Sequence, residues 1–456
     1  MIALPVAVLW FGGFVLAVLD GTRKPAAWLS VAVLASAILS TMALGITVYQ
    51  DGPMSLAVGG WSFGVGITLR VDMLSIVFAL LSQGVLLAAL VYEVVNEVGA
   101  RIYPAVVLFM GLGLTGLVFT GDAFNFYVFF EISMISAYVL SSYGESPRQF
   151  RAAFVFITVN LLGSVFFLIG ISAIYHTTGF LDMYRIRDQM PLVQENPAIL
   201  SATIIFVAFS IKLGLFPFHF WLPAVYTGTR PSVAAILSGA LANIGTYGLI
   251  RFGADIFPRE LRQAAPVLIA LGTASIIYGA IQALSRHATN EVLAYSAIGQ
   301  VGYILIALGI GGPAGYTAAI LYTVLNSTNK ALLFLSGSLR GWLAGAAFAI
   351  GAFSVAGVPP ASGFLGKMAL FQVGIAEDRP MLVALIFLGG ALSFVYMFQL
   401  YRRRTAEIEA HDSSPWGAQV VVVMLALVIL GIGVWPDPLL NLVERAALSL
   451  PEAQVP

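Results

Sequence analysis

Cysteine is absent from the 456 residues. Its absence excludes structural disulfides, thiolate zinc sites and iron–sulfur clusters carried by this chain. Charge is scarce as well. Asp, Glu, Lys and Arg make up 10% of the residues, against roughly a quarter in a soluble domain. Lys plus Arg and Asp plus Glu stand at 22 each, so the formal net charge is zero and no basic surplus points to nucleic acid. Histidine is reduced to four residues. Metal-ligand spacings, a phosphate-binding loop and a nucleophile elbow are missing from plausible positions. The sequence therefore implies no catalytic residue, no metal and no cofactor.

What the chain does have is apolar length. Hydrophobic residues make up 59% and the mean hydropathy is +0.94. A soluble fold cannot hide this much apolar surface, whereas lipid accepts it. A bilayer crossing takes about 20 apolar residues. Runs broken by charge, Gly and Pro then predict an all-α polytopic membrane protein with about fourteen spans. They cover residues 2–19, 27–49, 70–92, 104–120, 122–143, 150–175, 200–225, 231–253, 264–284, 290–309, 314–338, 345–376, 381–401 and 416–435. The first run starts at Met1 without a basic leader and reads as a span, not a cleaved signal. Two spans are too long and hold breakers, Phe216-Pro217 in one and Gly357-Val358-Pro359-Pro360 in the other. Proline removes a backbone donor, so both read as broken helices. Irregular backbone at membrane depth is tolerated only where it is buried in protein or lines a wet cavity.

Basic residues fall into two sets. Arg23, Lys24, Arg101, Arg148, Arg151, Arg230, Arg286, Arg340 and Arg402-Arg403-Arg404 fall on one side of the predicted spans. Arg70, Arg185, Arg187, Arg251, Arg259, Arg262, Arg379 and Arg445 fall on the other, mixed with acidic residues. The larger set belongs in the cytoplasm by the positive-inside rule. Both termini then lie outside a cell (inner) membrane. Residues 176–199 form the longest loop, with room for a short interfacial helix, and His411 falls in a charged cytoplasmic loop.

Only four lysines stand against eighteen arginines. Lys24 is in a loop; Lys212, Lys330 and Lys367 lie inside apolar spans. A lysine at the bilayer centre costs about 3 kcal/mol or more. Arginine keeps its proton in a protein, whereas lysine can release it. Three intramembrane lysines therefore suggest proton-exchanging sites. The bland alternative is snorkelling to the interface. Against it, Lys212 and Lys367 neighbour helix breaks, and Lys330 follows Asn326 and Asn329. Glu131 is the matching intramembrane anion, and its bland alternative is a structural ion pair. His219 either relays protons or hydrogen-bonds the broken helix. Asp72 and Asp122 fall at span edges and read as helix anchors.

The two broken spans share local text, Phe209-Ser210-Ile211-Lys212-Leu213-Gly214 and Phe353-Ser354-Val355-Ala356-Gly357. Paired broken helices point to an internally repeated transporter. The chain divides into N-terminal helices (1–103), two halves (104–253 and 264–401), and a C-terminal helix and tail (402–456).

Five segments carry a family resemblance. They are Gly121-Asp122-Ala123-Phe124-Asn125 through Glu131; Lys212 with Phe216 to Pro223; Leu293-Ala294-Tyr295-Ser296-Ala297-Ile298-Gly299-Gln300; Asn329-Lys330-Ala331-Leu332-Leu333-Phe334-Leu335; and Gly357 to Phe364. In this order they resemble the antiporter-like subunits of respiratory complex I and Mrp antiporters, nearest in look to the Mrp D-type subunit. The resemblance implies fourteen helices with two inverted five-helix repeats. It also implies a Glu131–Lys212 pair, and an axis continued by Lys330 and Lys367. The chain departs from the pattern where relatives carry a lysine, here Asn243, and where they carry a histidine, here Tyr322. A basic pair of the relatives is here Asn290-Glu291. A proton path would lean on His219, Asn243, Tyr247, Tyr322 and Asn326 as secondary polar groups.

The resulting expectation is a proton-translocating subunit of a multi-subunit membrane complex, with Na+/H+ exchange as one form of that activity. Its partners are other membrane subunits. A self-contained solute transporter and a structural subunit with a vestigial path are the rivals. No chemistry in the chain marks it as an enzyme by itself.

Overall fold

The computed structural model describes residues 1–62, 64, 66–143, 146–407 and 414–450. His411 lies outside the described residues.

The chain is a bundle of helices: α1 Leu4–Val18, α2 Lys24–Asp51, α3 Met73–Val95, α4 Tyr103–Phe119, α5 Ala123–Ser142 and α6 Pro147–Thr178. A short α7 (Met183–Gln189) precedes α8, Glu195–Gly228. Next come α9 Pro231–Ile256, α10 Pro258–Ser285, α11 Thr289–Ile310 and α12 Gly312–Gly337. α13 has two halves, Trp342–Ala356 and Gly363–Ala376; α14 Pro380–Glu407, α15 Trp416–Val434 and α16 Asp437–Leu448 complete the chain. Among the described residues, ten helices are long and apolar enough to cross a membrane. The shorter apolar α1 and α4, the two-part α13 and the more polar α12 complete the fourteen expected crossings.

Sequence explains the helix starts. Side chains of Asp72 and Asp122 accept from the Ser75 and Asn125 backbone N–H groups at 2.9 and 2.7 Å, so both cap helices as expected. Ser146 and Gln149 form a capping box at α6.

Burial sorts the helices into layers. The apolar stretches of α9 and α11 are 94% and 89% buried, while those of α2, α14 and α15 are about one-third buried. A helix apolar all round belongs in the centre; one polar only at its ends can face lipid. α9, α11 and α12 form the centre, and α1, α2, α6, α14 and α15 carry exposed apolar side chains at the periphery.

One feature departs from the all-α expectation. β1 (Met54–Ala57) pairs antiparallel with β2 (Thr68–Val71). Gly121 N–H donates to Thr68 O, Met183 N–H to Gly121 O and Ala123 N–H to Leu181 O, each at 2.8 Å. Hairpin, turn and α7 thus join into a cap over one end of the bundle. α7 is the short helix expected within 176–199. α16 was not anticipated; it buries Val443, Ala446 and Ala447 and packs on α3 and α12.

The loops segregate by face. Gly21 N–H donates to Arg101 O, Arg403 to Arg286 O, and the Arg340 backbone N–H to Ser414 Oγ, joining loops of the first basic set. Arg70 stacks on Tyr184 at the capped face, with the second set. Two assignments need correction. Arg251 is 5% exposed within α9, and Arg404 is 7% exposed at the end of α14. Buried arginine is therefore present as well as buried lysine. Arg251 is held by two carboxylates, and Arg404 by the carbonyls of Ser336 and Leu339.

Candidate functional site

Lys212 ends the first part of α8, which stops because Gly214 turns left-handed at φ +64. The break contains a cis Phe216-Pro217 bond. Trp221 folds back and donates its indole N–H to Ile211 O at 3.0 Å, satisfying one end carbonyl. Lys212 is 6% exposed. Its Nζ donates to Asn160 O at 2.8 Å and to Ser164 Oγ at 3.4 Å, both on α6. The ammonium also sits 4.3 Å from the Phe130 ring centroid, a cation–π contact worth about 0.5–2 kcal/mol.

Glu131 follows Phe130 on α5 and is half-buried, with Oε1 enclosed and unpartnered. None of the ion pairs among the described residues joins it to Lys212. The ring of Phe130, not the neighbouring carboxylate, meets the ammonium. A direct Glu131–Lys212 contact, expected from the resemblance, is not made here.

A small cavity of about 10 Å³ beside Lys212 is lined by Asn160, Trp221, Leu237, Ala242 and Ile244. Its α9 wall is irregular: Leu237–Leu241 and Arg251–Ile256 are π-helical turns. Such bulges are rare and gather at functional sites. Asn243 follows the first. Its Nδ2 donates to Gly239 O and its Oδ1 accepts from Ser327 Oγ, both at 2.8 Å. Asn243 therefore ties α9 to α12.

Ser327 lies one helical turn before Lys330. Lys330 is 6% exposed and has no hydrogen-bond or ion-pair partner among the described residues. Asn326 and Asn329 each keep a buried, unpartnered Oδ1. They line a small cavity of about 10 Å³ with Gln300, Tyr322, Ser354 and Val355. Tyr322 donates to Gln300 Oε1 at 2.5 Å, and Gln300 Nε2 donates to the Tyr396 hydroxyl at 3.2 Å. Ser296 and Tyr396 hydroxyls lie 3.0 Å apart. The Tyr322 position thus belongs to a tyrosine–glutamine network.

Lys367 closes the line. Its Nζ donates to Val355 O at 3.0 Å and Ala356 O at 2.7 Å, the last carbonyls of the first half of α13. The negative end of a helix dipole suits a cation there. Gly357 makes this seat possible: it is left-handed at φ +83, and a Cβ would lie 2.7 Å from Lys367 Cδ.

Two expected members are elsewhere. Tyr247 does not join Asn243. Its hydroxyl donates to Val118 O at 3.0 Å and accepts from Arg251 Nε at 3.1 Å. It belongs to a cluster in which Arg251 Nη1 meets Asp72 Oδ2 and Asp255 Oδ2, both at 2.8 Å. His219 packs its ring 4.4 Å from Tyr278 and keeps Nδ1 buried and unpartnered. It therefore neither bonds the broken helix through Nδ1 nor touches Lys212. The sequence reading also missed Glu93, which takes Arg230 at 3.1 Å and Ser232 Oγ at 2.6 Å. The available signal was its place near the end of α3, facing a basic loop.

Fold and site together define a polytopic membrane subunit with a buried lysine axis. Residues 120–340 match the family model described as NADH:quinone oxidoreductase/Mrp antiporter, transmembrane. The antiporter subunit mnhD2 of Staphylococcus aureus is 29% identical over 98% of this chain and 95% of its own length. A chain in the structure of the Mrp complex from Dietzia superposes with a TM-score of 0.90 at 26% identity, covering 99% of this chain and 97% of that one. A chain of an archaeal membrane-bound sulfane sulfur reductase does so at 0.91 and 26%, covering 99% and 98%. In sequence and in fold the chain is similar to the antiporter-like membrane subunits of NADH:quinone oxidoreductases and Mrp antiporters.

Proposed function

We propose that this chain translocates protons within a multi-subunit membrane complex, as a D-type subunit of an Mrp-like Na+/H+ antiporter. One observation carries the reading. A line of buried polar groups runs from Lys212 and its cavity, through Asn243 and Ser327, to Lys330, Asn326 and Asn329, and on to Val355 and Lys367. Buried ionisable groups at membrane depth are costly and are characteristic of proton relays. Lys212, Lys330 and Lys367 serve as the proton-carrying sites. Glu131 acts on Lys212 through space, next to Phe130, whose ring contacts the ammonium. Tyr322, Asn326 and Asn243 supply polar lining; Tyr247 and His219 stand apart from the lysines.

The halves 104–253 and 264–401 serve as two repeats, each with one broken helix and one lysine beside the break. The larger basic set faces the cytoplasm, so both termini and the cap lie outside the cell membrane. The assembled complex, reconstituted in vesicles, tests the function. Lys212→Ala and Lys330→Ala are each expected to reduce cation-driven proton movement at least tenfold, a small effect beside the cost of placing charge in the membrane, with assembly retained. Parental transport by both variants would overturn the proton-carrying reading and favour a structural subunit.

A further inference from the structure

α9 presents Asn243, Tyr247, Arg251 and Asp255 at every fourth position. Residues at that spacing stack along one helix face. The stripe runs from the Asn243–Ser327 bond in the centre to the cap. Its outer end opens on a small cavity of about 10 Å³, room for about one water, lined by Arg70, Thr120, Tyr184, Arg187, Arg251 and Asp255. The capping segments of β2, the 120–122 turn and α7 supply its other walls. Asp255 is 5% exposed and lines this cavity with Oδ1 enclosed and unpartnered. Arg70, on β2, lines the same cavity and keeps Nε enclosed and unpartnered. A carboxylate oxygen that accepts and a guanidinium N–H that donates are suitable partners for a water molecule.

Arg251 is the obstacle on this stripe. Asp72 and Asp255 hold it from two sides, and it donates to the Tyr247 hydroxyl. A fixed arginine cannot pass on a proton and repels cations, as in pores that exclude protons. The route beside it is closed too. Phe126, Phe167, Phe209 and Phe252 pack at centroid distances of 5.0–5.6 Å for the closest pairs, between the Arg251 cluster and the Phe130–Lys212 contact.

We propose that Asp255 is a proton-binding site fed by water from the capped face, and that Arg251 is the gate it controls. This rests on the proton-translocating reading above. In the closed state the Asp255 carboxylate holds Arg251 across the stripe. Transfer of one proton from a cavity water to Oδ1 neutralises the carboxylate and leaves hydroxide to the outer water. That ion pair is then lost, and Asp72 is the one carboxylate left on Arg251, beside the Tyr247 and Ser75 hydroxyls. The stripe toward Asn243 is opened to water, and loss of the proton restores the lock.

The test uses the assembled complex in vesicles, with passive proton leak read under an imposed potential and no driving cation. Asp255→Asn imitates the neutral carboxyl and is expected to raise the leak about tenfold, within the usual range of coupling between sites. Asp255→Glu keeps the charge and the parental leak. Adding Lys330→Ala to Asp255→Asn suppresses the leak. An assembled Asp255→Asn complex that leaks no more than the parent, or an Asp255→Glu complex that leaks as much as Asp255→Asn, overturns the gate. If that happens while Lys330→Ala alone abolishes driven transport, only the gate falls; if Lys330→Ala transports normally, the underlying function falls.

A second measurement does not depend on replacing Asp255. The chain has no cysteine, so single cysteines report unambiguously. Met183 lines the capped cavity and Ile244 lines the Lys212 cavity. An impermeant thiol reagent applied at the capped face is expected to modify Met183→Cys and to spare Ile244→Cys. Equal reaction at both, or none at Met183→Cys, overturns the closed gate.

Discussion

Lys212 has two kinds of partner that ask different things of it. Asn160 O and Ser164 Oγ accept from the ammonium, and the Phe130 ring faces it. A structural cation could be replaced by another cation of similar reach. A proton carrier could not, because arginine does not release its proton. Lys212→Arg is therefore expected to assemble normally and to lose nearly as much transport as Lys212→Ala. Near-parental transport by the arginine variant, measured in vesicles, would remove Lys212 from the carriers. Glu131→Gln is expected to give a similar defect, and the double variant to be little worse than either single one, because members of one unit are non-additive. The three intramembrane lysines were legible because apolar text makes charge conspicuous. Arg251 was not, because sorting arginines by sidedness treats a charge near a span end as a loop residue. The stripe Asn243, Tyr247, Arg251 and Asp255 was present in the text, but a period of four shows a shared face, not a partner. Asp72, which completes the cluster, is 179 residues away.

At the scale of elements, the two breaks in α8 and α13 follow from proline and glycine chemistry, and both were legible. What was not legible was the backbone irregularity of α9. Its two π turns lie in text with ordinary helical composition, and arise where α9 packs against its neighbours. The β1–β2 hairpin was missed because each strand has four residues, too few for a pattern to register. Gly357 shows how closely a break is fitted to its lysine. An alanine there would take a left-handed conformation that costs on the order of 1–3 kcal/mol. Its Cβ would also press on Lys367 Cδ. Gly357→Ala is expected to lower the thermal unfolding midpoint of the purified complex and to impair transport. Gly431→Ala is the control, since nothing lies within 4 Å of a Cβ at that position on α15. Equal behaviour of the two variants would show that the Lys367 seat tolerates displacement.

At the scale of the whole molecule, the layers and faces followed from hydropathy and basic residues. The loop groupings agree with alternating crossings, since members of each basic set meet on one face. Orientation in the cell follows from labelling. Leu192 is 78% exposed beside the cap, and Arg340 is exposed in the α12–α13 loop. In whole cells Leu192→Cys is expected to react with an impermeant reagent, and Arg340→Cys only after permeabilisation. The reverse pattern would invert the topology. Peripheral helices expose large apolar side chains, among them Phe11 and Phe14 on α1 and Phe387 and Phe394 on α14. Lipid and companion subunits are the surroundings that suit them.

The bond between Ser327 and Asn243 has a direction. Asn243 is anchored through Nδ2 to Gly239 O, so its Oδ1 is committed to accepting. A neutral amide held this way has no proton to hand onward and no vacancy for one. On the proposed path, traffic between the Lys212 and Lys330 compartments is then left to solvent that wets this junction. Hydration, not side-chain acidity, becomes the scarce reagent at the midpoint of the molecule, and drying that one spot would divide a single wire into two short ones.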